Sequence, residues 1–285
     1  MDQPLTIAAP SVSPLAAKSL TAGAVAILAT PDPAAKAAAG RALAAFWAEG
    51  ALPVGDAEPP PRPSRPARPV LRPAREMPKR RNFGSLAGRT ALLHALAHIE
   101  LNAIDLGWDI IARFAAEAPS RAFFDDWVGV ATEEAGHFEL LAARLADFGA
   151  GYGDLPAHDG LWQAAAATAH DLLARLAVVP LVLEARGLDV TPRMALRLER
   201  VGDNRSAAIL HHIYRQEIGH VAVGVRWFER LCRERGLAPE AVFRERVARC
   251  FKGDLKPPFN HAARRAANFP ARYYEPPSAP AGDEG

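Results

Sequence analysis

Several features that would mark a secreted or membrane protein are scarce in this sequence. Cys232 and Cys250 are its only cysteines among 285 residues. We interpret them as free thiols in a reducing compartment rather than as part of a disulfide framework. No apolar run approaches the roughly 20 residues of a membrane-spanning helix, and no secretory signal peptide is recognisable. We therefore expect a cytoplasmic protein with no membrane partner.

Aromatic residues and net charge are also low. Aromatics make up 7% of the chain and the formal net charge is +2, so no global field favours binding to nucleic acid or to an anionic membrane. What the chain has instead is a 49% share of apolar residues, dominated by alanine and leucine, which favour helix. The composition predicts an all-α protein.

Two short motifs carry the chemistry. Glu134 and His137 form one Glu-x-x-His, and Glu217 and His220 form a second. Three residues turn a helix by about 300°, so the two side chains of each motif project from the same face. A single Glu-x-x-His is weak evidence for a metal site, because solvent-facing helices also contain this pattern.

Two isolated glutamates complete the pattern. Glu100 and Glu184 stand in apolar, helix-like segments, 34 residues before Glu134 and 33 residues before Glu217 respectively. Each interval fits a helix, a turn and a return to the same height on the neighbouring helix. The order Glu, Glu-x-x-His, Glu, Glu-x-x-His is that of ferritin-like di-iron carboxylate bundles. It predicts two helical hairpins that each deliver three ligands.

This template implies a dinuclear metal centre. Carboxylate and imidazole ligands together suit non-haem iron, and four ionised glutamates offset the charge of two ferrous ions, which makes their burial tolerable. The cofactor prediction is two Fe ions, with a Mn or mixed Mn/Fe pair left open. The template places Glu100, Glu134 and His137 around one metal and Glu184, Glu217 and His220 around the other. Glu134 and Glu217 would bridge them.

The predicted architecture is a ferritin-like four-helix bundle with additions at both ends. We expect short N-terminal helices packed on the bundle in residues 1–51, a proline-rich basic linker in 52–82, the bundle in 83–237, and a C-terminal helix with an extended tail in 238–285. The third bundle helix is predicted over 161–186, bent at Pro180, with a new helix starting at Thr191-Pro192. The proline-rich stretch, with Lys79, Arg80 and Arg81, is interpreted as a solvated linker. A docking strip for an acidic partner or nucleic acid is the alternative.

Other polar residues in the predicted helices receive weaker interpretations. We expect His94 and His98 to be satisfied or solvent-exposed rather than metal ligands. Asp105, Asp109 and Asp203 are candidates for hydrogen bonding to the ligand histidines. Glu133 is expected to face solvent or to make such a contact. Tyr214, one turn before Glu217, is expected to be a packed tyrosine with a satisfied hydroxyl.

The motifs resemble a known family. The segments around Glu100, Glu134 and Glu184-Ala185-Arg186-Gly187, the segment Glu217–Val221, and Lys256-Pro257-Pro258-Phe259-Asn260 with Arg264 look like an uncharacterised bacterial family of ferritin-like proteins. That family is usually placed near the tRNA-isopentenyladenosine hydroxylases, which are di-iron monooxygenases. The resemblance implies a di-iron bundle without implying a substrate. One departure is Gln216, where an acidic residue is expected; we predict that position 216 points away from the ligands.

Three functions follow from this pattern. The favoured one is a di-iron oxidase or monooxygenase acting on an unidentified organic substrate with an unidentified electron donor. A tRNA base is a candidate substrate, motivated only by the proline-rich strip and by basic tail residues (Lys252, Lys256, Arg264, Arg265 and Arg272). The alternatives are rubrerythrin- or ferritin-type peroxide or iron handling, and a metal-stabilised scaffold without catalysis. The oligomeric state is left open.

Overall fold

A computed structural model describes residues 17–77 and 82–275, and every helix bound below lies in these ranges. Predictions for residues 1–16, 78–81 and 276–285, including the basic triplet Lys79-Arg80-Arg81, lie outside them. Helices are the dominant element, and the described ranges contain no strand beyond an isolated bridge between Leu71 and Ala157. The all-α prediction is confirmed. None of the described helices combines the length and apolarity needed to cross a membrane.

Four long helical paths surround a buried centre. They are α3 (Leu86–Arg113), α4 (Arg121–Asp147), a composite path that ends in α7 (Ala185–Arg200), and α8 (Asn204–Glu234). Helix α3 packs on α4, α7 packs on α8, and α4 also contacts α8. The first pair approaches closely at Gly107, where a Cβ atom would lie 2.8 Å from the Cβ of Ala131. A side chain at 107 would push the two helices apart.

The third path is not the single helix over 161–186 that the sequence predicts. It consists of α5 (Gly160–Ala167), a break at 168–171, α6 (Leu172–Val178), a π-helical segment (Val179–Glu184) and α7 (Ala185–Arg200). The wider π turn follows from Pro180, which lacks an amide hydrogen. At its end, the amide of Ala185 donates to the carbonyl of Pro180, five residues back.

A tight contact holds this π-helical segment. A Cβ atom at Gly224 on α8 would lie only 2.5 Å from the Cβ of Pro180. The glycine therefore lets the proline ring sit against α8. Glu184 is the last residue of the segment, so this contact sets the position of a predicted ligand.

The predicted helix start at Thr191-Pro192 is wrong, because α7 continues through Pro192. A proline inside a helix leaves the carbonyl four residues earlier without its donor, here that of Leu188. The side-chain amide of Asn260 donates to this carbonyl at 3.1 Å. A residue far along the chain thus replaces the missing helical bond.

The proline-rich stretch lies along the outside of the helices over residues 52–77, and most of its residues are exposed or half-buried. Arg65 pairs with the buried carboxylate of Asp105 at 2.8 Å. Arg113 of α3 donates to the carbonyl of Pro60 at 2.9 Å. The same stretch covers the pair α1 (Leu20–Leu28) and α2 (Pro33–Ala48), which packs on α3 and α4.

The C-terminal segment contacts α7 through a buried ion pair. After α9 (Pro239–Cys250), the short helices α10 (His261–Ala266) and α11 (Ala271–Tyr274) follow. Arg264 is buried and forms a two-pronged ion pair with Asp189, at 3.0 and 2.7 Å. Its guanidinium also lies over the ring of Tyr274. Arg264 is therefore occupied within the fold, and contact of the basic tail with RNA stays a prediction.

Candidate metal centre

The six predicted ligands come from four helical segments that meet at the centre. Helix α3 supplies Glu100, α4 supplies Glu134 and His137, the π-helical segment ends at Glu184, and α8 supplies Glu217 and His220. All are buried except Glu184, which is half-buried. Its Oε2 atom is nevertheless shielded from solvent.

Four of the predicted ligands form a tight group at the centre of the site. One ligand atom from each of Glu100, Glu134, His137 and Glu217 lies within 4.8 Å of the others. This buried cluster could hold a metal ion. Which metal, and whether Glu184 and His220 also bind one, stays a prediction.

Glu134 lies between the two histidines. Its Oε2 is 3.2 Å from Nδ1 of His137 and its Oε1 is 2.9 Å from Nδ1 of His220. Glu217 is placed similarly, with Oε1 at 3.8 Å from both Nδ1 atoms. Each carboxylate therefore reaches both halves of the site, which is the arrangement a bridging ligand needs.

The Nε2 atoms of His137 and His220 also have hydrogen-bond partners. Nε2 of His137 is 3.0 Å from Oε1 of Gln216, and Nε2 of His220 is 2.8 Å from Oε2 of Glu133. An acceptor at Nε2 favours the tautomer that leaves Nδ1 free to bind a cation. The prediction that position 216 points away from the site is wrong, since Gln216 takes the role for His137 that Glu133 takes for His220.

The aspartates considered as hydrogen-bond partners of the ligand histidines form ion pairs with other residues instead. Asp105 binds the buried Lys36 at 2.5 Å, Asp109 binds the buried Arg175 at 2.5 Å, and Asp203 binds Arg144 at 2.8 Å. Those three predictions are wrong. The sequence offered a signal for the actual partners, because Glu133 and Gln216 each directly precede the Glu of a Glu-x-x-His.

The remaining candidates behave as expected. Nδ1 of His98 is 2.8 Å from the hydroxyl of Tyr152, and burial lowers the pKa of His98 to about 4. His94 accepts from the amide of Gly153. The hydroxyl of Tyr214 accepts from the Asn260 side chain at 3.1 Å. These interactions satisfy the side chains without a metal.

Without a cation, the side chains of the cluster have strongly shifted pKa values. Burial and the neighbouring Glu134 raise the pKa of Glu100 to about 8 and that of Glu184 to about 7. Burial also raises the pKa of Glu217 well above its ordinary value. The pKa of His137 is lowered by burial, but its hydrogen bonds to Glu100 and Glu134 outweigh this and raise it to about 11. At neutral pH the cluster therefore retains protons that a metal would replace.

One buried polar atom at the centre, Oε2 of Glu184, has no hydrogen-bond partner. Oε1 of Glu134 and Nδ1 of His220 face each other at 2.9 Å and make no other hydrogen bond in the described residues. Buried polar atoms are rarely left unpaired, so such a group needs an explanation. All three are good donors to a divalent cation, and the donor set of carboxylates and imidazoles fits a di-iron centre.

A cavity of about 160 Å³ adjoins the cluster. Glu100, Glu134, Glu184 and Glu217 contribute to its wall, which brings Glu184 to the same space as the tight group. The rest of the wall is mostly apolar, which excludes water from the site. These apolar residues are Leu96, Ile99, Ala103, Leu106, Leu161, Val179, Leu183, Val190, Met194 and Ile213.

Comparison with known proteins assigns the chain to a family. A family model described as "Protein of unknown function (DUF455)" matches residues 29–275. The chain belongs to the DUF455 family. A relative from Haemophilus influenzae (strain ATCC 51907 / DSM 11121 / KW20 / Rd), described as "Uncharacterized protein", is 43% identical over 213 residues, which cover 72% of each chain. No solved structure matches. The DUF455 match includes all six predicted ligands and the C-terminal segment that fastens α7.

Proposed function

We propose that this protein is a ferritin-like di-iron carboxylate oxidase or monooxygenase. The observation that carries the proposal is the shared position of Glu134, within 3.2 Å of the inward-facing nitrogens of both His137 and His220. Two metal ions, one beside each histidine, would share this carboxylate. Glu100 would complete the position beside His137, and Glu184 the position beside His220, with Glu217 as the second bridge.

The charges support two divalent ions rather than one. Three buried carboxylates and one half-buried carboxylate line the same cavity, and the imidazoles of His137 and His220 lie beside them. Two ferrous ions would balance the four negative charges and would give a partner to Oε2 of Glu184. The bonds from Gln216 and Glu133 would keep both imidazoles oriented.

The chain's own residues would define the reaction space. When bound, a pair of ferrous ions supplies electrons for the reduction of dioxygen. The apolar wall of the adjoining cavity would keep bulk water away and hold the organic substrate beside the cluster.

Oxygen consumption tests the proposal. The full chain is loaded anaerobically with Fe(II), its bound iron is counted, and dioxygen is then added while an electrode follows its uptake. We expect two irons per chain and uptake coupled to loss of Fe(II). Glu134→Gln should lose most of both, because a neutral amide is a poor bridge, whereas Glu139→Gln, a partly exposed position on the same helix, should match the natural chain.

Two outcomes would redirect the assignment. Rapid turnover of hydrogen peroxide with no organic substrate would favour rubrerythrin- or ferritin-type chemistry. Tightly bound metal that neither oxidises nor consumes dioxygen would favour a metal-stabilised scaffold. Substitution of manganese for iron in the anaerobic count would show whether the site prefers a Mn or mixed pair.

A further inference from the structure

The cavity beside the cluster shares Arg186, Val190 and Met194 with a neighbouring groove that is lined by arginines. We propose that the site takes a small amphiphilic anion, with an apolar end of about six carbon atoms beside the glutamates and a carboxylate or phosphate on the arginines of α7. This inference rests on the proposed function for the chemistry that follows binding, but the binding itself can be measured separately.

The inner cavity sets the size and character of the apolar end. A cavity of about 150 Å³ is known to hold one benzene molecule, so the 160 Å³ found here accommodates about six carbons. Its wall is apolar apart from the glutamates, Thr191 and Arg186. Burying a chain of this size in such a wall is favourable by the hydrophobic effect.

The outer groove sets the charge of the other end. It measures about 190 Å³ and is lined by Arg186, Arg193 and Arg197. Residues 186, 190, 193 and 197 recur at intervals of three and four, so they share one face of α7. Arg186, Val190 and Met194 line both spaces, which makes them the common border.

The acid in this groove, Asp189, is shared between Arg264 and Arg186, whose Nη1 lies 3.5 Å from Oδ2. Both oxygens of Asp189 are occupied by Arg264, at 3.0 and 2.7 Å, and one also accepts from the amide of Asn260. Arg193 and Arg197 are exposed, and Arg197 lies over the ring of Phe83 at 4.0 Å. The groove lining therefore contains three arginines and one acid, and both oxygens of that acid also pair with Arg264.

The inner end of the site carries glutamates and the outer end carries arginines, so a ligand with one charged end has one favourable orientation. Glu100, Glu134, Glu184 and Glu217 at the inner end would repel an anion, whereas the arginines at the outer end would attract it. Arg186 is held at the border by a hydrogen bond to the carbonyl of Lys256 at 2.8 Å. An anion would be recognised there with little loss of side-chain freedom.

Calorimetry with three six-carbon probes tests the inference on the full chain loaded anaerobically with Fe(II). Hexanoate, hexyl phosphate and 1-hexanol share the apolar end and differ in the head group. We expect at least one of the two anions to bind about tenfold or more tightly than 1-hexanol, and the comparison between them to identify the head group. Equal binding of all three, or no binding of either anion, would overturn the inference.

Matched variants locate the ligand. Arg193→Gln should weaken anion binding about tenfold, whereas Arg200→Gln, exposed on the same helix but outside the groove, should not. Gly187 lines the cavity, and a Cβ there would meet nothing within 4 Å, so Gly187→Leu should fill it and abolish binding. Gly129→Leu, also in open space, is the control for a leucine on a helix.

The outcomes separate this inference from the proposed function. Two bound irons with no anion binding would overturn the inference alone. Anion binding that depends on Arg193 in a chain that takes up no iron would uphold the inference and overturn the di-iron assignment. Binding of a short RNA that depends on Arg193, without binding of hexyl phosphate, would assign the groove to nucleic acid and overturn the inference.

Discussion

The metal-free protein should lose stability as the pH rises from 6 to 8. Glu100 has its pKa raised to about 8 and Glu184 to about 7, whereas an unfolded glutamate titrates near 4.5. The folded state thus holds protons that the unfolded state has released. Stability from a raised pKa is present below the unfolded pKa and is lost as the pH climbs through the folded pKa.

His137 acts in the same direction. Its pKa is raised from 6.5 to about 11, so above pH 6.5 the folded state keeps a proton that the unfolded state loses. At pH 7 these three groups together hold about two more protons in the folded state, which predicts a slope of about −3 kcal/mol per pH unit. That is a large part of a typical stability of about 5–15 kcal/mol. The lowered pKa of Glu134 acts below pH 4.5, outside this window.

Urea unfolding at pH 6, 7 and 8 in the presence of a chelator measures the slope. The free energy of unfolding should fall at each step. Glu100→Gln should flatten the slope by about 1 kcal/mol per pH unit, because one titrating group is gone. A metal-free protein whose stability is flat or rising over this range would refute the electrostatic account of the cluster.

Two further predictions concern the path that delivers Glu184. Gly224→Ala should lower the free energy of unfolding by about 1–3 kcal/mol and weaken metal binding, because the new methyl group meets Pro180. The control Gly219→Ala lies on the same helix and places its methyl group in open space. It should leave metal binding unchanged and leave stability unchanged or slightly improved. Metal titration and thermal unfolding of both variants check this, and equal behaviour would show that the contact is unimportant. Asn260→Leu should cost about 1–3 kcal/mol by leaving the carbonyl of Leu188 unpaired, seen as a lower melting temperature; an unchanged value would mean that the bond contributes nothing.

The Glu-x-x-His spacing and the ferritin-like template led to the four clustered residues Glu100, Glu134, His137 and Glu217, and metal binding by Glu184 and His220 stays a prediction. Glu134 and His137 share a helix face through local geometry alone, and their partners follow from matched spacing. The course of the third path could not be predicted this way. Thr191-Pro192 has the local form of a helix start, and only the donor at Asn260, 72 residues beyond Leu188, permits the helix to continue.

The proline-rich stretch shows the same limit. Its composition favours an extended, solvated chain, and composition contains no information about a buried partner. Arg65 is ordered by Asp105, a residue that the sequence pattern had offered to the metal site instead. Likewise, Gln216 was judged by helix position alone, although its long side chain reaches His137.

The central claim is that six side chains hold two metal ions. Anomalous diffraction from crystals grown anaerobically with Fe(II) tests it most directly. The account predicts two iron peaks about 3.5–4 Å apart, one beside Nδ1 of His137 and one beside Nδ1 of His220, with Glu134 contacting both. A single peak, or iron bound anywhere else, would contradict it.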